Sequence, residues 1–141
     1  MARSDSFVDT LATVPLFSAC SKRDLQKIAR ASDEVSVEPG RVLVEQGKMG
    51  REAFVILKGK ATVKRNGRKV ATLGPGDQFG ELALLDGGPR TATVEADTPM
   101  EVLVLTQQGL ASVLEAVPNL SRKMMTSLAG RIRDLDQKAY G

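Results

Sequence analysis

The apolar residues of this chain change period twice. Over residues 4–13, Phe7, Val8 and Leu11 fall on one face of an amphipathic helix, which Pro15 ends. Leu16-Phe17 add an apolar anchor in the connector. Ser21 followed three residues later by Asp24 reads as an N-cap with its returning carboxylate. Leu25, Ile28 and Ala29 continue at helical spacing, so a second helix is predicted to about Ala31. From residue 33 to 106 the pattern becomes short β-type runs at 34–37, 42–44, 54–57, 61–63, 70–73, 92–94 and 102–105. Glycines punctuate them, and Asn66-Gly67 between two runs predicts a type I′ hairpin. After Thr106 the helical period returns over 108–116, stops at Pro118, and resumes from Leu120 to about Lys138 with Asn119 as cap. In that last helix Met125, Leu128, Ile132 and Leu135 form an a/d-like seam. Its reading is packing on the strands ahead of dimerisation, because so short a seam makes a weak coiled coil.

Many short strands at even spacing predict a closed antiparallel barrel or jelly roll. The fold class is therefore α+β, mainly β, with short N-terminal helices and a C-terminal helix pair. One domain is expected over 1–141: a helical segment at 1–32, the barrel at 33–106 and closing helices at 107–141.

The stretch 79–94, Phe-Gly-Glu-Leu-Ala-Leu-Leu-Asp-Gly-Gly-Pro-Arg-Thr-Ala-Thr-Val, carries the candidate chemistry. Gly80 lets backbone approach a ligand closely. Glu81 to Leu85 reads as one helical turn whose first N–H groups lack intrahelical partners and favour an anion. Arg90 brings a planar fork of donors matched to phosphate oxygens. Glu81 would repel a phosphate, and makes sense as an acceptor for ribose hydroxyls. Asp86 reads as the stabiliser of the Gly-Gly-Pro turn rather than as half of a catalytic carboxylate pair.

This stretch closely resembles the phosphate-binding cassette of the cyclic nucleotide-binding domain family, at every element of its F-G-E-[LI]-[AG]-L-L…P-R-[AST]-A-T-V pattern. The resemblance implies an eight-stranded antiparallel jelly roll with the cassette between strands six and seven. It implies that Glu81 takes the ribose 2′-hydroxyl and Arg90 the cyclic phosphate, with Gly80, the amides of Leu82 and Ala83, and Thr91 completing the cradle. The wall near Val70 to Leu73 and the closing helix would hold the purine. The N-terminal segment is also similar to the family's opening module. One departure is Arg51-Glu52 where the family places an acidic residue directly after the second glycine; it is expected to alter loop contacts and to leave the cassette untouched. The implied function is a non-catalytic, cytoplasmic receptor for a 3′,5′-cyclic purine nucleotide, with cAMP favoured modestly over cGMP. It would signal through its final helix to an effector protein or a second copy of itself. The rival reading is a docking module whose cassette persists only as structure.

The totals exclude other classes. The net charge is +3, but Lys and Arg look scattered among Asp and Glu, without the basic run a nucleic-acid surface needs. No run is long and apolar enough for a membrane span. The chain has no histidine, which removes the Ser-His-Asp triad and a histidine metal site, and no metal or other cofactor is expected. The single Cys20 can form no internal disulfide and hold no cluster. No DNA-binding, kinase-inhibiting, acyltransferase or channel segment follows the closing helix, so the chain reads as a stand-alone sensor or an excised domain, and Met1 favours a natural start.

Overall fold

Among the described residues, eight strands and five α-helices account for most of the structure. The computed structural model describes residues 2–140, with side chains from 7 to 139, so Met1 and Gly141 lie outside the described residues. Helix α1 (Ala2–Leu11), a 3-10 turn (Pro15–Phe17) and α2 (Lys22–Ala31) precede the strands. These are β1 (Asp33–Val37), β2 (Val42–Val44), β3 (Glu52–Lys58), β4 (Ala61–Arg65), β5 (Arg68–Leu73), β6 (Gln78–Phe79), β7 (Thr93–Ala96) and β8 (Met100–Thr106). A short helix α3 (Glu81–Asp86) lies between β6 and β7, and α4 (Gln107–Ala116) and α5 (Leu120–Tyr140) follow β8. No helix among the described residues is long and apolar enough to cross a membrane.

The strands form two four-stranded antiparallel sheets, ordered β1-β8-β3-β6 and β2-β7-β4-β5, the jelly-roll arrangement that the spacing predicts. Strand β6 is the element the periodicity misses: two residues are too few to show an alternation. The space between the sheets is filled by Val44, Phe54, Ile56, Phe79, Val94, Met100 and Val102. The other face of β3 and β8 presents Val55, Leu103 and Leu105 to Leu11, Phe17, Ile28, Leu110 and Leu120 of the helices. Covered on both faces, these two strands read as unbroken apolar runs rather than alternating ones. Each such side chain contributes about 1.5–3 kcal/mol by leaving water.

The local signals work as their chemistry requires. Asn66 (φ 54°) and Gly67 (φ 79°) both take the left-handed conformation of a type I′ turn. The capping box forms: Asp24 N donates to Ser21 Oγ at 3.1 Å and Ser21 N to Asp24 Oδ2 at 3.0 Å. Asp24 also accepts from Lys123 Nζ of α5 at 2.7 Å, and Ala19 N donates to Ser127 Oγ at 3.0 Å. Together they fasten the first half of α5 to the N-terminal segment. Burial pushes the Asp24 carboxyl up, but the bonds from Lys123 and Ser21 outweigh it and hold it below the usual carboxylate range.

Three expectations need correction. Asn119 stands at the entry to α5 with φ 69°, its carbonyl accepting from Lys123 N; this is a turn residue, not the extended conformation of a side-chain N-cap. The seam on α5 does not pack on the strands. Leu120, Met124 and Ser127 are buried, one position ahead of it, while Met125, Ile132 and Leu135 are 62%, 66% and 58% exposed. Only Leu128 of the seam reaches the core, and residues 129–139 are all exposed. Nor are the basic residues all scattered. The β4–β5 register places Lys64 opposite Lys69 and Arg65 opposite Arg68.

Candidate functional site

Arg90 is the one buried cation among the described residues. It is 8% exposed, with Cζ 5.8 Å from the centre of the Phe54 ring, which stacks on Phe79 at 4.8 Å. Nη1 donates to the Glu52 carbonyl at 2.8 Å, and Nη2 lies 3.6 Å from Glu52 Oε1. Burial lowers the guanidinium pKa and Glu52 raises it, the burial being the larger effect, yet an arginine remains charged throughout the working pH range. The Glu52 carboxylate is half-exposed, so it compensates this charge only in part. One hydrogen bond occupies one of five N–H donors. A guanidinium so placed favours an anion with several acceptor oxygens.

The backbone around Arg90 is fixed by the β2–β3 loop. Arg90 N donates to Lys48 O at 2.8 Å, Gly47 N to Arg90 O at 2.9 Å and Gly50 N to Gly88 O at 3.1 Å. Asp86 braces the turn before it, accepting from Gly88 N at 2.8 Å. On the other side Gly80 enters α3 at φ 83°, a conformation that favours glycine. A Cβ there would lie 2.7 Å from Arg90 Nη1 and 2.8 Å from Glu52 O. The first hydrogen bond of α3 runs from Leu84 N to Gly80 O, so the amides of Glu81, Leu82 and Ala83 have no acceptor inside the helix.

These groups line one cavity of about 320 Å³. Gly80, Glu81, Leu82, Ala83, Arg90 and Thr91 all border it, so every residue predicted for the site is brought together there. Val70, Ala71 and Leu73 of β5 form the expected wall, joined by Val44, Val63 and Arg65. Among the described residues the closing helix contributes none to the wall. Its link to the site is one ion pair, Arg131 Nη1 to Glu81 Oε1 at 3.7 Å.

Four contributors have roles that sequence reasoning does not assign. Gly50 leaves the space that Arg90 fills. Glu52 holds Arg90 through carbonyl and carboxylate, which corrects the expectation that the Arg51-Glu52 departure is separate from the cassette. Arg65 Nε donates to the Thr91 carbonyl at 3.1 Å. Arg131 engages Glu81. The glycine-acid pattern near 50–52 was the one available signal.

The chain matches the family described as Cyclic nucleotide-binding domain over residues 34–117. It is 38% identical over 109 residues to a cAMP-dependent protein kinase regulatory subunit from Yarrowia lipolytica, covering 76% of this chain and 29% of that protein. It is 40% identical over 95 residues to a cyclic nucleotide-gated potassium channel from Rhizobium etli, covering 67% of this chain and 26% of that one. The chain thus spans less than a third of the length of either relative. Among solved structures it is similar to the N-terminal domain of a transcriptional regulator from Streptomyces coelicolor A3(2). The TM-score is 0.84 at 31% identity, covering 92% of this chain and 96% of that one.

Proposed function

This chain belongs to the cyclic nucleotide-binding domain family, and from that premise we propose that it is a cytoplasmic, non-catalytic receptor for a 3′,5′-cyclic purine nucleotide. The observation that carries the reading is Arg90, a buried guanidinium aimed into a cavity at the start of α3. The cyclic phosphate accepts from its free donors and from the unpaired amides of Leu82 and Ala83, with the Thr91 hydroxyl beside them. Glu81 accepts the ribose 2′-hydroxyl. The purine lies against Val63, Val70, Ala71 and Leu73, aliphatic contacts that suit a flat apolar face. The kinase subunit in Yarrowia lipolytica is named for cAMP, which favours cAMP over cGMP as the ligand. The signal leaves through α5, joined to Glu81 by Arg131 and exposed beyond Leu128, toward an effector protein or a second copy.

Equilibrium titration with a fluorescent cAMP analogue, with cGMP as competitor, tests the proposal. Saturable binding that Arg90→Ala strongly weakens in a folded chain supports it. No saturable binding by the parent chain overturns it in favour of a docking module.

A further inference from the structure

The β4–β5 hairpin carries a cluster of cations of which the ligand site uses only Arg65. Lys64 faces Lys69 and Arg65 faces Arg68 across the strands, four cations within six residues. Like charges directly opposite one another destabilise a strand pair. Among the described residues no ion pair reaches any of the four. The tip is nevertheless held in place. Gln46 Nε2 donates to Asn66 Oδ1 at 2.9 Å, and Asn66 N donates to Gln46 Oε1 at 2.8 Å. A rigid tip that concentrates uncompensated charge is suited to a polyanionic partner.

The placement of the cations selects the partner. Val63 and Arg65 line the cavity, and side chains alternate along a strand. Arg65 and Arg68 therefore share the cavity face, while Lys64 and Lys69 share the opposite face. A flat membrane reaches only one pair, and within the hairpin itself the one large apolar residue exposed is Val70, at 53%. Single-stranded nucleic acid binds through aromatic platforms, but no aromatic among the described side chains is exposed, all four phenylalanines being buried. A flexible acidic chain can wrap the tip and reach both faces. We propose that the β4–β5 hairpin tip is a docking site for an acidic peptide segment of a partner protein. It is independent of the nucleotide reading, and it lies at the mouth of that cavity.

The test is fluorescence anisotropy of the full chain with a labelled decapeptide of alternating Glu and Ser. The expected result is saturable binding that weakens as salt rises from about 0.05 to about 0.5 M. The double variant Arg68→Glu/Lys69→Glu weakens it at least about tenfold. That variant turns both like-charge pairs into opposite ones, so its melting temperature does not fall. Lys22→Glu/Arg23→Glu makes the same net change on exposed positions of α2 and leaves peptide binding within about twofold, salt screening the distant charge. Equal losses from both double variants, or no peptide binding, overturn the proposal. Hairpin-dependent binding of phosphatidylserine vesicles or an oligothymidine strand in place of the peptide also overturns it.

Discussion

The Arg90 guanidinium lies against Gly50 so closely that a Cβ built on that glycine would sit 2.7 Å from Nη2 and nearer still to Nε and Cζ. Gly50 has an ordinary backbone conformation, so glycine is needed there for room, not for φ. Gly50→Ala therefore displaces Arg90 without straining its own backbone. The expected loss is one charge-assisted hydrogen bond to the phosphate, about 1.5–3 kcal/mol of affinity. Isothermal titration with cAMP measures it; unchanged affinity would mean that Arg90 does not hold the ligand in the observed rotamer.

Arg90→Ala removes the whole fork. It is expected to weaken binding by about 2–5 kcal/mol, the range for losing one partner of a desolvated charge pair. Arg90→Lys keeps the charge but loses the planar donor geometry, and falls between parent and alanine. Melting curves of the unliganded chain decide how to read these numbers. A buried charge that is only half compensated adds little stability, so Arg90→Ala should melt near the parent.

What the sequence made legible was what lies contiguous in it. Gly80 to Arg90 span the entry to one short helix, the helix itself and the loop that follows it, so their spacing alone assembles most of the cradle. Gly50, Glu52, Arg65 and Arg131 reach the same site only through strand register and helix packing, and no local period encodes either. The buried face of α5 was misplaced by one residue for a related reason. Met124 and Met125 are equally apolar, and the choice between them is made by the ties of Lys123 to Asp24 and of Ser127 to Ala19. The runs at 61–63 and 70–73 fall inside β4 and β5 but stop short of Lys64, Arg65, Arg68 and Lys69, and charge opposing charge across the turn appears only once the register is known.

The Asp24–Lys123 pair predicts a pH effect. The Asp24 carboxyl titrates below its ordinary value in the folded chain, so its contribution is fully present above the unfolded pKa of about 3.9. That contribution is lost as the pH falls through the lowered folded value. Lys123 is 37% exposed, so solvent screens the pair and its worth is modest. Asp24→Asn is expected to cost about 1–2 kcal/mol near neutral pH, including its part in the capping box. It should also flatten the acid limb of the stability curve. Urea unfolding from pH 7 to pH 3 checks this; parallel curves for parent and variant would reject the assignment.

The last prediction concerns Glu81, whose Oε1 is held by Arg131 at 3.7 Å. A ribose 2′-hydroxyl that donates to the same carboxylate shares with Arg131 the charge that holds it. The Arg131 side chain is 45% exposed, so the ion pair contributes under about 1 kcal/mol and is cheaply rearranged. A ligand that engages Glu81 therefore changes what holds the exposed half of α5. It can shift that helix only by its differential affinity for the two arrangements. Hydrogen exchange over residues 129–139 should respond to cAMP in the parent. It should respond weakly to 2′-deoxy-cAMP and not at all in Arg131→Ala. The affinity cost of Arg131→Ala stays within about tenfold, as befits a screened pair. The 2′-deoxy ligand should bind the parent more weakly than cAMP does, because the carboxylate is left without its hydroxyl. Against Glu81→Gln the two ligands should differ less. If exchange in α5 is indifferent to ligand while the 2′-hydroxyl still matters to affinity, Glu81 reads the ribose and the route to the helix lies elsewhere. If both are indifferent, Glu81 serves only to anchor Arg131.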